Sequence, residues 1–382
     1  MNYLMVDISG KVLNYDIALC QALSKALPSS DHFSLFAANI EPKKIDCECK
    51  KLFSLIPKSL KNSENIVKRG FKALEGVANY FYLILYLAVH KVKILHLQWL
   101  PFLEIIAIEK VFLKTIRLIS PKTKIILTVH NLYPHNSSEP RKSAYRRRFS
   151  DVQRHIDKFI LHLDVSRKEF CKEFCIDESR TVVIPHGIFE PKGYVVRPHV
   201  RGEKLNLIMY GNQNIYKGTD ILIDALTMLP QEYKSKVHAL IVGKTASNYL
   251  SLLQQKSKGL DVDFIPKFVP DNDLYRYISQ SDVIVLPYRE ISQSGVLLLA
   301  LNFNRLIITS DLPSFKETLS ECPSELFFKS GNPQSLGLTL IGLINKKSPW
   351  DDYKFFFNDV KNRYLWENSA RMTLDSYNKI DN

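Results

Sequence analysis

The feature that most constrains this 382-residue chain is an alternation of short β-branched or Leu-rich runs with helical patterns. This rhythm is typical of βαβ units and favours a parallel sheet with helices on both faces. In the first half, the runs that predict strands are 3–6, 93–97, 124–129, 159–163 and 181–184, and the helical patterns are 17–27, 102–119 and 167–174. The first half therefore predicts one complete doubly wound domain.

The rhythm stops in a Pro-, Gly- and charge-rich stretch and then begins again. Strands are predicted at 205–209, 238–242, 262–265, 283–286 and 306–309, and helices at 218–228, 248–255, 272–278, 296–301, 336–345, 351–361 and 365–377. A linker of this composition between two βα series indicates two domains. We expect an N-terminal domain at 1–190, a linker at 191–204, a second domain at 205–364, and a last helix at 365–382 that crosses back to the first domain.

No segment of the chain predicts a membrane span or a signal peptide. The start Met1–Asp7 lacks a basic region followed by a long apolar run and reads as a first strand. The most apolar run, 77–89, is shorter than the ~20 residues that cross a bilayer. We therefore expect a cytoplasmic protein, in which the six cysteines stay reduced and carry no chemistry.

The net charge of +13 is concentrated in the first half, where residues 1–190 hold 29 Lys and Arg against 19 Asp and Glu. Basic residues recur between Lys43 and Lys72, with Leu and Phe side chains among them, and again between Arg141 and Arg148. Such a surface suits an anionic membrane leaflet. The alternative is a solvated basic face that only aids solubility.

Ligands of open parallel sheets bind beyond the carboxyl ends of the strands, so polar residues just after strands are the candidates for chemistry. His130 follows the apolar run 125–127 and is suited to bind a sugar hydroxyl or to move a proton, the alternative being a structural histidine. His135 is a weaker candidate because no strand positions it. The turn at Ile184-Pro185-His186-Gly187 is a weak motif by itself.

A second candidate is the polar loop from Gly211 to Lys217, which lies between a predicted strand and a predicted helix. Gly211 lets the backbone approach a phosphate, the helix that follows offers free N–H groups, and Lys217 adds a positive charge. This pattern predicts a diphosphate site, and the alternative is a plain βα turn. The loop matches neither a Walker loop nor a G-x-G-x-x-G fingerprint.

A third candidate is the loop from Arg289 to Val296, which also runs from a strand into a helix. We expect the two helix starts to converge on one anion site. Farther on, Glu317 is predicted on the first turn of the next helix, where its carboxylate would accept both ribose hydroxyls or would only complement the helix dipole.

Taken in this order, the segments from Lys93 to Glu317 resemble GT-B glycosyltransferases of the retaining family 4 group. Lys217 stands at the lysine position of that family's phosphate loop, 290–300 resembles its Glu-x7-Glu segment, and Glu317 resembles the acid after its "SD" strand end. His130 resembles its N-domain catalytic histidine, and 184–187 its "iPnG" turn. The resemblance implies two Rossmann-like domains facing a cleft, with His130 catalytic and with Gly211, Asn212, Lys217, Gln293, Ser294, Gly295, Val296 and Glu317 binding the donor.

The chain departs from this family at two places. Asn212 and Asn214 stand where the phosphate loop usually has an arginine, so one family cation for the diphosphate is absent. If Ala300 is aligned with the alanine that follows the second glutamate of the family's Glu-x7-Glu segment, the two glutamate positions fall on Ile291 and Leu299. Gln293, Ser294 and the amides of Gly295 and Val296 would then bind the sugar hydroxyls instead.

The function predicted from these residues is transfer of a sugar from a nucleoside-diphosphate-sugar to a glycan or lipid-linked glycan hydroxyl, as the resemblance implies for bacterial surface-polysaccharide assembly. Neither a cofactor nor a metal is expected, because helix ends and Lys217 would stabilise the leaving group. The expected partners are the nucleotide-sugar, the acceptor and the anionic inner face of the membrane, and no nucleic acid. The alternatives are an inactive GT-B subunit and a nucleotide-sugar epimerase of the same architecture.

Overall fold

The computed structural model describes residues 2–42, 47–54, 66–103, 105, 107–133, 138–191, 193–196, 201–346 and 349–380. Two compact units are present: Met1–Gly187 together with Leu365–Asn382, and Ile188–Tyr364. Each unit is built on one parallel sheet, as the alternating pattern predicts.

The sheet of the first unit has the strand order β3-β2-β1-β4-β5-β6-β7. Its strands are β1 (Asn2–Asp7), β2 (His32–Ala37), β3 (Glu48–Lys51), β4 (Ile94–Leu97), β5 (Lys124–Thr128), β6 (Lys158–Leu161) and β7 (Thr181–Val183). Its helices are α1 (Leu13–Ala26), α2 (Ile66–Val89), α3 (Ile108–Ile119), α4 (Glu139–Val152), α5 (Asp164–Phe174) and, from the end of the chain, α14 (Trp366–Lys379).

Strand periodicity divides the first unit into two apolar layers. Tyr3 and Met5 on β1 belong to the core that includes α1 and α14, whereas Leu4 and Val6 belong to the core under α2 to α5. Successive side chains of a strand point to opposite faces, so one buried strand serves both layers. The C-terminal helix packs on α1 within the first of these layers, where Tyr377 is buried.

The second unit has a sheet of order β10-β9-β8-β11-β12-β13. Its strands are β8 (Leu205–Tyr210), β9 (Val237–Val242), β10 (Val262–Ile265), β11 (Val283–Leu286), β12 (Leu306–Ser310) and β13 (Phe327–Phe328). Its helices are α6 (Thr219–Met228), α7 (Gln231–Lys234), α8 (Ser247–Lys256), α9 (Asp271–Gln280), α10 (Gly295–Ala300), α11 (Pro313–Thr318), α12 (Pro333–Ile344) and α13 (Pro349–Arg363).

Two of the predicted helix positions are wrong. The helix expected from Phe102 begins only at Ile108, because the Glu109 carboxylate accepts the Phe102 N–H and closes a turn ahead of the helix. Glu317 lies in the last turn of α11 and not in the first, because Pro313 starts this short helix and Thr318 ends it. A role of Glu317 in complementing the N-terminal helix dipole is therefore excluded.

Helix α2 contains the apolar run that the sequence makes conspicuous. Between Ala73 and Val89 the one charged residue is Glu75, which is buried. Among the described residues, no helix combines the length and the apolar character that a membrane crossing requires.

Candidate functional site

In the second unit the phosphate-loop candidate is built around a buried lysine. Lys217 ends a short 3-10 turn, Ile215–Lys217, and is only 5% exposed. Its Nζ lies 3.5 Å from the Tyr210 carbonyl at the end of β8 and 5.3 Å from the centre of the Tyr288 ring. Within the described part of the chain, Lys217 forms no ion pair with an acidic side chain.

Burial has a direct electrostatic effect on this lysine. It lowers the pKa of Lys217 to about 8, because the charged form loses its hydration. The ammonium is still the main form at pH 7. A buried cation without an acidic partner is costly in the free protein, and an anionic ligand would offset that cost.

Glycines surround the lysine at the carboxyl ends of three strands. Gly218 has φ +72°, and a Cβ on it would lie 1.9 Å from the Pro287 carbonyl oxygen. Gly243, at φ +132°, packs on the Gly211 backbone in the same way, and a Cβ there would lie 2.2 Å from the Gly211 oxygen. These contacts bring the ends of β8, β9 and β11 together, and only glycine fits both the space and the backbone angle.

The loop is held by two side chains that sequence reasoning missed. The buried Gln213 amide donates to the Gly211 carbonyl at 2.7 Å, and its oxygen accepts from the Thr219 hydroxyl at 2.8 Å. Arg289 donates to the Ile215 carbonyl at 2.7 Å and forms a two-pronged ion pair with Asp220. The loop after β8 lacks the family arginine, and Arg289, which follows β11, thus brings a cation to this loop.

The loop from Arg289 to Val296 lies against the loop from Gly211 to Lys217. A Cβ on Gly211 would come within 3.4 Å of Val296, and the Tyr210 hydroxyl donates to the Val296 carbonyl at 2.7 Å. Ser294 is buried and caps α10, its hydroxyl oxygen accepting the Leu297 N–H. The structure therefore brings the starts of α6 and α10 to the end of β8.

The remaining predicted donor residues differ in exposure. Asn212 and Gly295 are exposed, with open space around Gly295, and Gln293 is half-buried. Glu317 is also half-buried. Ile291 and Leu299, at the family glutamate positions, both pack against the apolar core, so neither position offers a polar group.

In the first unit, His130 belongs to a cluster of four imidazoles at the carboxyl ends of β4 to β7. His130 Nδ1 lies 3.2 Å from His162 Nε2, and His130 Nε2 lies 3.2 Å from Gln98 Oε1. Farther along, the Gln98 amide nitrogen lies 3.2 Å from His96 Nε2. Sequence reasoning missed His96, His162 and Gln98, and the only available signal was their position at strand ends.

The rings around His130 form an aromatic enclosure. The Tyr15 ring meets His130 edge-on at 4.9 Å between centres, and Trp99 stacks on it at 6.3 Å, with Lys11 Nζ 3.8 Å from the centre of Trp99. The adjoining cavity has a volume of about 30 Å³, which is the scale of one or two water molecules and not of a sugar.

Burial keeps these imidazoles neutral. It lowers the pKa of His96 and of His162 to about 3 and that of His186 to about 4, and it holds the pKa of His130 well below its ordinary value. In the residues that the structure describes, no group of three or more His, Cys, Asp or Glu side chains is placed to hold a metal ion. His135 lies outside the described residues.

Residues 204–346 match the family model described as Glycosyl transferases group 1. The second unit carries a glycosyltransferase domain. This domain includes the loops of Lys217 and Ser294 and extends past Glu317, so the predicted resemblance to glycosyltransferases is confirmed for this part of the chain, and the retaining family 4 group stays a prediction.

Comparison with curated proteins extends beyond the domain alone. The chain is 25% identical over 188 residues to the GDP-mannose:glycolipid 4-beta-D-mannosyltransferase of Xanthomonas campestris pv. campestris. The match covers 49% of this chain and 50% of that protein, so the chain spans about half the length of the curated relatives it matches.

Solved structures show the fold over the whole chain. A glycosyltransferase from Rickettsia africae ESF-5 has a TM-score of 0.69 at 16% identity, covering 99% of this chain and 98% of that one. Anabaena Alr3699/HepE in complex with UDP has a TM-score of 0.68 at 15% identity, covering 99% and 100%. Sucrose-phosphate synthase from Thermosynechococcus elongatus has 0.68 at 16%, covering 100% and 99%. The fold is that of GT-B glycosyltransferases, with a Rossmann-like sheet in each unit.

Proposed function

We propose that this chain transfers a sugar from a nucleoside-diphosphate-sugar to a hydroxyl of a glycan or a lipid-linked glycan. The observation that carries the proposal is Lys217, a buried ammonium with no acidic partner among the described residues, placed where glycines expose backbone at the end of β8. A diphosphate supplies the charge that this site lacks.

The donor would be held by the two loops of the glycosyltransferase domain. Lys217 and the amides after Gly211 would take the diphosphate, with Asn212 beside them. Gln293, Ser294, Gly295 and Val296 would bind the sugar, and Glu317 the ribose. The charge that develops on the leaving diphosphate would be stabilised by Lys217 and backbone N–H groups, which requires no metal.

The names of the similar proteins favour this donor class and this type of acceptor. The mannosyltransferase is named for a GDP-mannose donor and a glycolipid acceptor, and the Anabaena protein is described with UDP and with UDP-glucose. We extend both properties, the donor class and the acceptor type, to this chain as part of the proposal. A role in bacterial surface-polysaccharide assembly belongs to the same proposal.

Calorimetry with UDP and GDP tests the donor site. Lys217→Ala should weaken binding of the nucleoside diphosphate by about 1.5–3 kcal/mol, the size of a charge-assisted hydrogen bond. The matched control is Lys267→Ala, which removes an exposed lysine of the same unit and should leave the dissociation constant unchanged. Equal affinity in wild type and Lys217→Ala would exclude Lys217 as the diphosphate ligand.

His130 is proposed as the catalytic residue of the first unit. His130→Ala should lower turnover far more than donor affinity, because the donor contacts are assigned to the other unit. If donor affinity collapses while turnover per bound donor stays normal, His130 is a binding residue.

A non-catalytic subunit with the same scaffold is the second candidate, favoured by the apolar packing of Ile291 and Leu299. Incubation with a panel of nucleotide-sugars separates the two, since an active transferase without acceptor hydrolyses its donor slowly. Binding of UDP or GDP without turnover of any donor, with or without glycolipid acceptors, would favour the inactive subunit.

We also propose that the first unit works against an anionic membrane surface, through the outward face of α2. This face carries five exposed apolar side chains spaced three or four residues apart, Leu74, Val77, Phe81, Leu85 and Val89. A row of this kind covers about four helical turns, and exposed apolar rows of that extent mark interaction sites. Lys72 precedes the row, Lys91 follows it, and both are exposed.

Charge favours a membrane over a protein partner as the occupant of this face. The first half of the chain has ten more basic than acidic residues, and each Lys or Arg near an anionic leaflet contributes about 1 kcal/mol. The segment Lys43–Lys72 is a further part of the proposed surface, although residues 43–46 and 55–65 lie outside the described residues. On α4, Arg146 pairs with Glu173 and Lys142 with Glu139, so these two basic residues contribute less.

Vesicle flotation tests the surface. Wild type should float with anionic vesicles at low salt, leave them at 1 M salt, where the screening length is about 3 Å, and ignore neutral vesicles. Phe81→Gln with Leu85→Gln should abolish flotation. The matched control, Leu338→Gln with Phe355→Gln, alters equally exposed apolar residues of the second unit and should float as wild type does. An α2 variant that still floats would refute the assignment.

A further inference from the structure

The hydrogen bonds around His130 run in one direction from a fixed acceptor. His162 Nδ1 lies 3.0 Å from the Ile184 carbonyl oxygen, which can only accept. His162 therefore carries its proton on Nδ1, and its Nε2 must accept. The neighbour of that nitrogen is His130 Nδ1 at 3.2 Å, so His130 donates through Nδ1.

This direction leaves only one role for the other nitrogen of His130. A neutral imidazole that donates through Nδ1 must accept at Nε2, whereas an imidazolium donates through both nitrogens. His130 Nε2 faces the Gln98 side-chain amide, which has an oxygen at one corner and an NH2 group at the other. In the orientation seen, Oε1 faces His130, and this orientation suits only the protonated ring.

The opposite end of the same amide faces His96. Gln98 Nε2 lies 3.2 Å from His96 Nε2, while His96 Nδ1 lies 2.7 Å from the Tyr377 hydroxyl. The Thr128 hydroxyl also lies 2.7 Å from His96 Nε2, and because a hydroxyl can donate or accept, it fits either tautomer and leaves Gln98 as the partner that distinguishes them. When the amide presents NH2 to His96, Nε2 accepts and Nδ1 donates to Tyr377. When the amide presents its oxygen, His96 donates through Nε2, and the Tyr377 hydroxyl donates to Nδ1.

We infer that Gln98 is a positioning residue that couples the charge of His130 to the tautomer of His96, by turning its amide when His130 gains or loses a proton. The neutral His130 takes the Gln98 NH2, and the protonated His130 takes the Gln98 oxygen. Gln98 is itself fully buried, so it has no water to replace either partner.

The surroundings favour the neutral ring at rest. The groups that act on His130 from the packed elements are neutral or positive: His96 on β4, His162 after β6, His186 after β7, Lys11 before α1 and the Tyr15 ring on α1. The carboxyl next to Tyr15 in the chain, Asp16, is buried on the same helix. Burial and a nearby carboxylate, Asp7, raise the pKa of Asp16 well above its usual range, so it adds little negative charge. In the resting cluster, Gln98 therefore presents its NH2 to His130.

Ring ¹⁵N NMR of protein labelled at histidine tests this inference without any need for activity. At pH 7.5 we expect His130 and His162 neutral and protonated on Nδ1, and His96 neutral and protonated on Nε2. Signals are assigned by single His→Gln substitutions. A His130 protonated on Nε2, or a His96 protonated on Nδ1, would overturn the inference, because neither is compatible with Gln98 NH2 facing His130.

A kinetic test rests on the proposed function. Gln98→Met removes the oxygen that accepts from the protonated His130, and that charge-assisted bond is the stronger of the two that Gln98 makes. The acid limb of the turnover profile should shift by about threefold to tenfold in proton concentration toward lower pH, with the donor KM unchanged. Gln153→Met, a half-buried glutamine of the same unit, should leave the profile in place.

The two tests distinguish failure of the proposed function from failure of the coupling through Gln98. If no donor is turned over, the proposed function fails while the ring tautomers still decide the role of Gln98. If turnover is normal and Gln98→Met leaves both the pH profile and the His96 tautomer unchanged, the coupling is refuted and the proposed function stands.

Discussion

The first unit ends its central strands in neutral imidazoles, whereas the second ends its central strands in glycines and one buried ammonium. His130 contacts His162 directly and His96 through Gln98, so the polar groups of these rings are paired inside the unit. Lys217, by contrast, has no acidic partner among the described residues. The difference shows that polar groups at the strand ends of one fold can be paired within the protein or can include a buried charge without an acidic partner.

The two units should therefore respond differently to acid, and this is the largest effect we expect. The four histidines of the first unit, of which His96 and His162 are buried and His130 and His186 half-buried, have lowered pKa values, so the unfolded chain binds protons that the folded unit cannot. Stability is then lost as the pH falls below about 6.5. Two buried carboxyls with raised pKa values, Asp16 and Glu109 (to about 7), oppose this trend. The unfolded chain then binds about two more protons than the folded unit, so the free energy of unfolding falls by about 2–3 kcal/mol for each pH unit of acidification.

Hydrogen exchange at pH 7.5 and 5.5, corrected for intrinsic rates, measures this contrast. Peptides from β4 to β6 should lose protection at the lower pH, while peptides from β8 to β12 should keep it. Earlier loss in the second unit would mean that the histidine cluster does not set the acid limit.

Gly218→Ala should destabilise the second unit at the loop between β8 and α6. The alanine must adopt φ near +72° and place its Cβ against the Pro287 carbonyl, so we expect a loss of about 2–4 kcal/mol. Urea unfolding measures it. Gly342→Ala is the matched control, because this exposed helical glycine has open space around it and should gain about 0.5–1 kcal/mol. Similar effects of both substitutions would contradict the close approach of the strand ends.

Lys217→Met should stabilise the ligand-free protein by about 1–3 kcal/mol at pH 7, because the buried ammonium is removed. The unfolded lysine keeps its proton to about pH 10.5, and the folded one loses it near 8. Wild-type stability therefore rises between these values, and the advantage of the variant shrinks there. Thermal unfolding at pH 7 and 9.5 checks both statements, with Lys267→Met as the control. A destabilised Lys217→Met would mean that the lysine already has a stabilising partner.

Glu317→Gln is expected to have the smallest effect. It should weaken binding of UDP or GDP by about 1 kcal/mol, a typical hydrogen-bond contribution, and leave inorganic pyrophosphate binding unchanged. Calorimetry with the two ligands separates a ribose contact from a general electrostatic effect. Equal losses for both would remove the ribose assignment.

Several parts of this protein were predictable from the sequence, because their signals are local. The βα rhythm, its restart near Leu205, and the glycine-and-lysine loop after β8 can each be read from a window of a few residues. Strands β2, β3 and β13 and helices α2, α4 and α7 were missed. β3 is a short polar edge strand, and β13 has only two residues, so neither carries a clear periodic signal.

The sequence by itself determined the doubly wound architecture and the strand ends where polar residues meet, because periodicity and turn chemistry act over neighbouring residues. Only the tertiary structure decided how those residues are paired. It joined Gln98 to His96 and His130, tied Arg289 to Asp220 across 69 positions, and left Lys217 buried beside a carbonyl and an aromatic ring. Pairing and burial depend on which strands become neighbours, and that is set by packing between residues far apart in the chain.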